Sequence, residues 1–109
     1  MQSDAFFQAE LRVGRVVSVE PFPEARKPAY KLVVDFGEGL GEKRSSAQLT
    51  DFYSPDDLLG RQVVAVTNLP PRLIGGFVSE VLVLGVPGEE GGVVLLEPER
   101  PVAEGVKVY

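Results

Sequence analysis

A short alternating segment bounded by proline and glycine most constrains how this chain can fold. Large apolar side chains occupy every second position of residues 30–36, at Tyr30, Leu32, Val34 and Phe36. Pro28 stands just before the segment, and Gly37, Gly39 and Gly41 follow it. A period of two is typical of a strand with one apolar face. Proline and glycine at its ends predict that the strand is short and bounded by turns.

Apolar segments bounded by proline and glycine recur along the chain, and they predict several short strands around one helix. We expect strands over residues 11–20, 30–36, 43–48, 62–67 and 79–86, with further strand material at 93–96 and 106–108. Gly14 interrupts the first strand and predicts a bulge there. Ser54 and Pro55 are typical of a helix start, and Gly60 of its end. This order predicts a mainly β fold, a five-stranded Greek-key OB barrel with short helices and extra terminal elements.

The length of 109 residues predicts one domain, residues 1–109. A chain this small buries only about two thirds of its unfolded surface, and residues 62–67 and 79–86 are apolar on both faces. Ser3 and Asp4 also predict a short capped helix whose apolar edge, Phe6 and Phe7, has no obvious place in a small barrel. We therefore expect a homodimer.

Composition excludes several function classes. The chain has no cysteine and no histidine, so thiolate and imidazole chemistry are unavailable, and we expect neither catalysis nor a metal or other cofactor. The net charge of −5 is unevenly distributed: residues 1–72 carry nine basic and ten acidic groups, and residues 73–109 carry two basic and six acidic groups. An uneven field can still direct an anionic partner to one face.

The N-terminal residues contain no positively charged, apolar targeting pattern, and no stretch approaches about 18 apolar residues. These features predict a soluble, cytoplasmic protein without membrane insertion.

Basic residues concentrate on both sides of the alternating strand. They are Arg26, Lys27, Lys31, Lys43 and Arg44. Such a set is typical either of a ridge that contacts phosphates or of a solvated barrel edge. Tyr30 also has two interpretations: its ring is a stacking face for a base, or it is part of the core.

Prolines and glycines predict a loop over residues 69–77, and this segment carries four large apolar side chains: Leu69, Leu73, Ile74 and Phe77. One interpretation is that the segment packs across an end of the barrel. The other is that it exposes an apolar surface to unfolded polypeptide.

Six motifs make the chain resemble the tRNA-binding-domain family of OB folds. They read RVGRVVSVE, FPEARKPAYKL, DFG, KRSSAQLT, VTNLPPR and SEVLVLGV within residues 12–86. General members of the family have Ser-x-Gly-Met where this chain has Ser79-Glu80-Val81-Leu82, and they lack the RKPAY element. These differences favour the branch of CsaA-type, export-related chaperones.

The resemblance implies a non-enzymatic chaperone for unfolded or export-bound polypeptide that also has a capacity to bind tRNA. The alternative is a tRNA-binding accessory protein that uses the same face. By position within the motifs, the resemblance assigns nucleic-acid contacts to Lys43, Arg44, Ser46, Gln48, Asn68 and Ser79. It also makes the apolar segment at residues 69–77 the leading candidate for peptide contact.

Overall fold

A computed structural model describes residues 8–109, in which the chain is built from nine strands and one short helix. The strands are β1 (Leu11–Pro21), β2 (Tyr30–Asp35), β3 (Glu42–Ala47), β4 (Gln62–Val66), β5 (Arg72–Ile74), β6 (Phe77–Ser79), β7 (Leu82–Val83), β8 (Gly85–Pro87) and β9 (Val93–Leu95), and the helix α1 spans Pro55–Leu58. The predicted helix edge at Phe6 and Phe7 lies outside the described residues.

Five of these strands form one antiparallel sheet in the order β3-β2-β1-β4-β7, and two separate hairpins pair β5 with β6 and β8 with β9. The sheet curls until its edges approach each other. The backbone N–H of Glu80, between β6 and β7, donates to the Arg44 carbonyl of β3 at 2.8 Å. The predicted mainly β fold, a nearly closed five-stranded barrel of the OB type, is confirmed.

The alternation of the second strand places its apolar side chains inside the barrel. Leu32, Val34 and Phe36 are almost fully buried, and they pack with Val16, Val63 and Leu58 in one core cluster. Helix α1 caps that core through Leu58, and its start is fixed by the predicted Ser54 cap, which forms a reciprocal capping box with Asp57.

The predicted bulge in β1 is real, but its position was wrong. The register with β2 shifts between Val16 and Ser18 rather than at Gly14. A Cβ atom on Gly14 would lie 2.6 Å from the Val34 side chain and 2.8 Å from the Phe36 ring. Gly14 therefore allows β1 to approach the core closely instead of marking the bulge.

Two further segments differ from the prediction. Residues 79–86 do not form one strand, because they end β6, supply β7 and begin β8. Residues 69–77 are not simply a loop, since Ile74 pairs with Phe77 across a two-residue turn. Gly75 and Gly76 have φ angles of 53° and 82°, and positive φ at both positions of such a turn suits glycine and matches the twist of a hairpin.

Candidate functional site

A groove runs between the β1–β2 connection, the end of β3 and the β5–β6 hairpin. We call it the hairpin groove, and it encloses about 500 Å³. Its lining residues are Ala25, Arg26, Lys27, Ala29, Ser46, Ala47, Gln48, Leu49, Arg72, Ile74, Leu82, Val83 and Val93. A smaller adjoining cavity of about 320 Å³ shares Ser46, Arg72, Ile74 and Leu82 with it. Strands β2 and β3 and the loops beside them are where OB folds bind extended ligands.

The β1–β2 connection is anchored at both ends and exposed between them. Phe22 and Ala29 are buried, and the N–H of Ala25 donates to the Phe22 carbonyl at 3.2 Å. Arg26 and Lys27 follow this turn and are exposed at the rim of the groove. The apolar anchors therefore present two cations to solvent.

The β5–β6 hairpin is attached to the barrel through β3. The N–H of Ser46 donates to the Ser79 hydroxyl oxygen at 3.0 Å. At the other end of the hairpin, a Cβ on Gly75 would lie 3.0 Å from the Glu24 carbonyl of the β1–β2 connection. The hairpin thus closes one side of the groove and contacts the loop that carries Arg26 and Lys27.

The groove combines an apolar lining with a positively charged rim. Eight of its thirteen lining residues are apolar, and the remaining five are Arg26, Lys27, Ser46, Gln48 and Arg72. Among residues 8–109, no carboxylate lies within 4.0 Å of the Arg26, Lys27 or Arg72 side-chain nitrogens. These three cations are available to a ligand.

Arg72 is a groove residue that the sequence interpretation missed. It begins β5 and borders both the groove and the adjoining cavity. The available signal was a basic side chain directly after two prolines in an otherwise apolar segment. Its significance depends on the hairpin turning that segment back toward β3.

Two of the predicted cations, Lys31 and Arg44, lie beside aromatic rings instead of lining the groove. We call these two cations, together with Phe22 and Phe77, the aromatic clamp. The Lys31 ammonium lies 5.1 Å from the Phe22 ring centre and 5.7 Å from that of Phe77, and the Arg44 guanidinium carbon lies 5.7 Å from the Phe77 centre. The two rings contact each other edge to face at 5.4 Å. These are distances at which cations are attracted to aromatic faces.

Three other predicted nucleic-acid residues lie outside the lining of the groove. Lys43 is adjacent to Arg44 on β3 and so projects from the opposite face of the strand. Asn68 is engaged with backbone, since its amide nitrogen donates to the Gln8 carbonyl at 2.6 Å and its oxygen accepts from Glu10 at 2.9 Å. Tyr30 packs against the core, and its hydroxyl donates to the Tyr53 carbonyl at 2.8 Å.

The other three predicted nucleic-acid residues, Ser46, Gln48 and Ser79, lie at the groove or at its adjoining cavity. Ser46 and Gln48 line the groove itself, and Ser79 lines the adjoining cavity. Their nucleic-acid contacts stay predictions.

The predicted peptide residues divide between the two faces of the hairpin. Ile74 lines the groove and the adjoining cavity, and Leu69 lines the cavity. Leu73 pairs with Val78 on the opposite face and is 74% exposed, away from both. Phe77 belongs to the aromatic clamp. Part of the segment therefore packs on the barrel and part of it is exposed.

The carboxylates with altered pKa values lie away from the groove. A hydrogen bond from Arg15, with Nε 2.6 Å from Oε1, lowers the pKa of Glu104. The backbone N–H and then the side chain of Ser54 lower the pKa of Asp57 at the start of α1. Both carboxylates connect structural elements, the C-terminal segment to β1 and the helix to its cap.

Within the described part of the chain, no three carboxylate side chains are grouped as a metal site would require. No helix among residues 8–109 has the length and apolarity to cross a bilayer.

Residues 11–107 of the chain match the protein-family model described as "Putative tRNA binding domain". Among curated proteins, a methionine–tRNA ligase of Methanocaldococcus jannaschii is 38% identical over 100 residues, which covers 91% of this chain and 15% of that enzyme. The chain thus spans only about 15% of the length of such relatives.

Two solved structures are similar over essentially their whole length. The chaperone CsaA of Bacillus anthracis is 50% identical with a TM-score of 0.93, covering 100% of this chain and 98% of that one. The CsaA chaperone protein of Picrophilus torridus is 43% identical with a TM-score of 0.94, covering 100% and 99%.

Proposed function

Because the chain belongs to the tRNA-binding-domain family, we propose that it is a CsaA-like chaperone that binds unfolded or export-bound polypeptide in the hairpin groove, without catalysis. The observation that carries the proposal is the apolar lining, eight residues of thirteen in an open groove of about 500 Å³. Solved structures named as CsaA chaperones match the chain along its full length.

An unfolded polypeptide exposes apolar side chains that a folded protein buries. Each side chain that enters the groove would contribute about 1–3 kcal/mol through apolar area removed from water. A lining of small and branched aliphatic side chains, such as Ala47, Ile74 and Val93, imposes little demand on the sequence of the segment. Such a groove suits a chaperone that must accept many clients.

Two exposed leucines provide a matched test. Leu82 is 47% exposed and lines the groove, whereas Leu73 is 74% exposed on the outer face of the hairpin. We expect Leu82→Ser to reduce suppression of aggregation of a chemically unfolded client, and Leu73→Ser to leave it unchanged. Thermal melting of both variants controls for folding. Equal loss in both variants, or no loss in a folded Leu82→Ser, would contradict the assignment of the groove.

A second candidate function, tRNA binding, is favoured by the cations at the same rim, Arg26, Lys27 and Arg72. Phosphate contacts make nucleic-acid affinity fall steeply with salt, whereas apolar burial does not. Titration of the protein with tRNA and with unfolded polypeptide at two salt concentrations separates the two functions. Polypeptide affinity that survives salt favours the chaperone; measurable affinity for tRNA alone would favour the accessory protein.

We further propose that the protein acts as a homodimer. Large apolar side chains are exposed along the C-terminal half outside the groove, among them Val86, Val94, Leu96, Val102 and Val106, and a two-fold contact would cover part of this surface. Sedimentation that detects only monomer at micromolar concentration would reject the dimer.

Because export-bound clients are made in the cytoplasm, we expect the protein to be located there. Cell fractionation would check this expectation.

A further inference from the structure

We infer that the hairpin groove selects its clients by charge: it binds extended segments in which acidic residues alternate with apolar ones, and it disfavours basic segments. The inference rests on the proposed function, since it names the class of polypeptide that the same groove accepts.

The charges of the groove all have one sign. Arg26 and Lys27 stand on the β1–β2 connection and Arg72 on the hairpin, and no acidic residue is among the thirteen that line the groove. Glu80 borders only the adjoining cavity, where its carboxylate lies 3.5 Å from Arg44 Nε. Asp51 borders a separate depression beside Lys27 and Gln48. This local excess of positive charge occurs in a chain of net charge −5.

The position of the cations relative to the apolar lining predicts the pattern of a client. Successive side chains of an extended segment point in opposite directions. When every second side chain enters the apolar part of the groove, the intervening ones point toward the rim and solvent. Acidic side chains at those positions would meet Arg26, Lys27 or Arg72, whereas basic ones would be repelled.

The expected preference is moderate because the cations are exposed. Exposed ion pairs change an affinity by about 1.5-fold to fivefold each, so a segment that meets two of the three cations gains between about twofold and about twenty-fivefold, with a middle value of about tenfold. Salt screens such pairs over a distance of about 8 Å at physiological ionic strength. The preference therefore shrinks as salt rises, while apolar binding persists.

Two fluorescent peptides of equal length and identical apolar residues test the inference, with glutamate at the intervening positions of one and lysine in the other. Fluorescence anisotropy at low salt should show the wild-type protein binding the glutamate peptide about tenfold more tightly. Arg72→Gln should narrow this ratio by about threefold. Arg100→Gln, which removes an exposed arginine that lines a different depression and not the groove, should leave this ratio unchanged.

The outcomes distinguish this inference from the function on which it rests. Equal affinity for both peptides, or tighter binding of the lysine peptide, overturns charge selection and leaves polypeptide binding in place. Binding of neither peptide overturns both. A preference that Arg72→Gln and Arg100→Gln reduce equally comes from the net charge of the protein and would also overturn selection by the groove.

Discussion

The aromatic clamp and the hairpin groove use the same basic residue types in opposite ways. In the clamp, Lys31 and Arg44 lie 5.1–5.7 Å from aromatic ring centres, and their charges are also near Glu24 and Glu80. In the groove, Arg26, Lys27 and Arg72 have no carboxylate within 4.0 Å among residues 8–109. The clamp cations are occupied within the fold, whereas the groove cations can contact a ligand.

This difference assigns two tasks to neighbouring surfaces. A cation–π contact whose cation is partly exposed to solvent contributes about 0.5–1 kcal/mol, so the clamp attaches the hairpin to the barrel. An unpaired exposed cation contributes little to folding. Mutations in the clamp should therefore change the stability of the fold, and mutations in the groove should change ligand binding.

The largest expected effect is on the clamp. Phe77→Ala removes the contact with Phe22 and the ring that faces Lys31 and Arg44. It should lower the free energy of unfolding by about 2 kcal/mol, as burial and aromatic contact are both lost. Urea denaturation measures the change, and Leu73→Ala on the outer face of the same hairpin, expected to change stability by under about 0.5 kcal/mol, is the control. Equal destabilisation by the two variants would remove the distinction between the two faces of the hairpin.

Next comes the loss of all three groove cations. Arg26→Gln, Lys27→Gln and Arg72→Gln together should weaken tRNA binding about tenfold at low salt and make its logarithmic salt dependence shallower by about 2, since three phosphate contacts to unpaired strands are lost. The unfolding free energy should be unchanged. Filter binding over a salt series measures the slope. If Lys43→Ala with Arg44→Ala weakens binding more than this triple variant does, the nucleic-acid face has been placed on the wrong side of β3.

A smaller effect is expected when a clamp cation loses its charge. Lys31→Met retains the aliphatic length and should lower the unfolding free energy by about 0.5–1 kcal/mol through loss of the attraction to both rings. Binding of tRNA and of unfolded polypeptide should be unaffected. Parallel denaturation and binding measurements check this expectation. A binding defect without a stability change would show that Lys31 is a ligand contact.

The smallest effect concerns an arginine that is already paired. Arg15 lowers the pKa of Glu104, so their pairing stabilises the fold above the ordinary carboxyl pKa of about 4.3, and this contribution is lost as the pH falls through the lowered value. Glu104→Gln should be slightly less stable than wild type at neutral pH and should match it in acid. Thermal melting across this range measures the difference. If the stability difference between wild type and Glu104→Gln became larger in acid, the lowered pKa of Glu104 would be contradicted.

Much of the fold followed from local patterns in the sequence. The period of two in residues 30–36 predicted which side chains face the core, and Leu32 and Val34 of β2 and the following Phe36 are buried. Ser54 and Pro55 predicted the start of α1. These signals act between residues that are close in the chain, so they can be read without knowing what lies opposite.

The candidate site was only partly predictable, because local signals do not show which distant segments pair with each other. Arg26, Lys27, Ser46, Gln48 and Ile74 were named from the sequence and line the groove. The mistake about residues 69–77 concealed the role of Arg72, because a hairpin and a loop with the same glycines look alike until strand pairing is known.

By itself, the sequence determined strands β1 to β4, the helix cap and the supply of cations and apolar side chains, since each depends on spacing along the backbone. Only the tertiary structure decided which cations face aromatic rings and which face an open groove. Lys31 and Arg44 meet Phe77 because the β5–β6 hairpin folds back over the barrel and brings together residues more than thirty positions apart. Contacts at that separation depend on how the elements pack, and no local pattern encodes them.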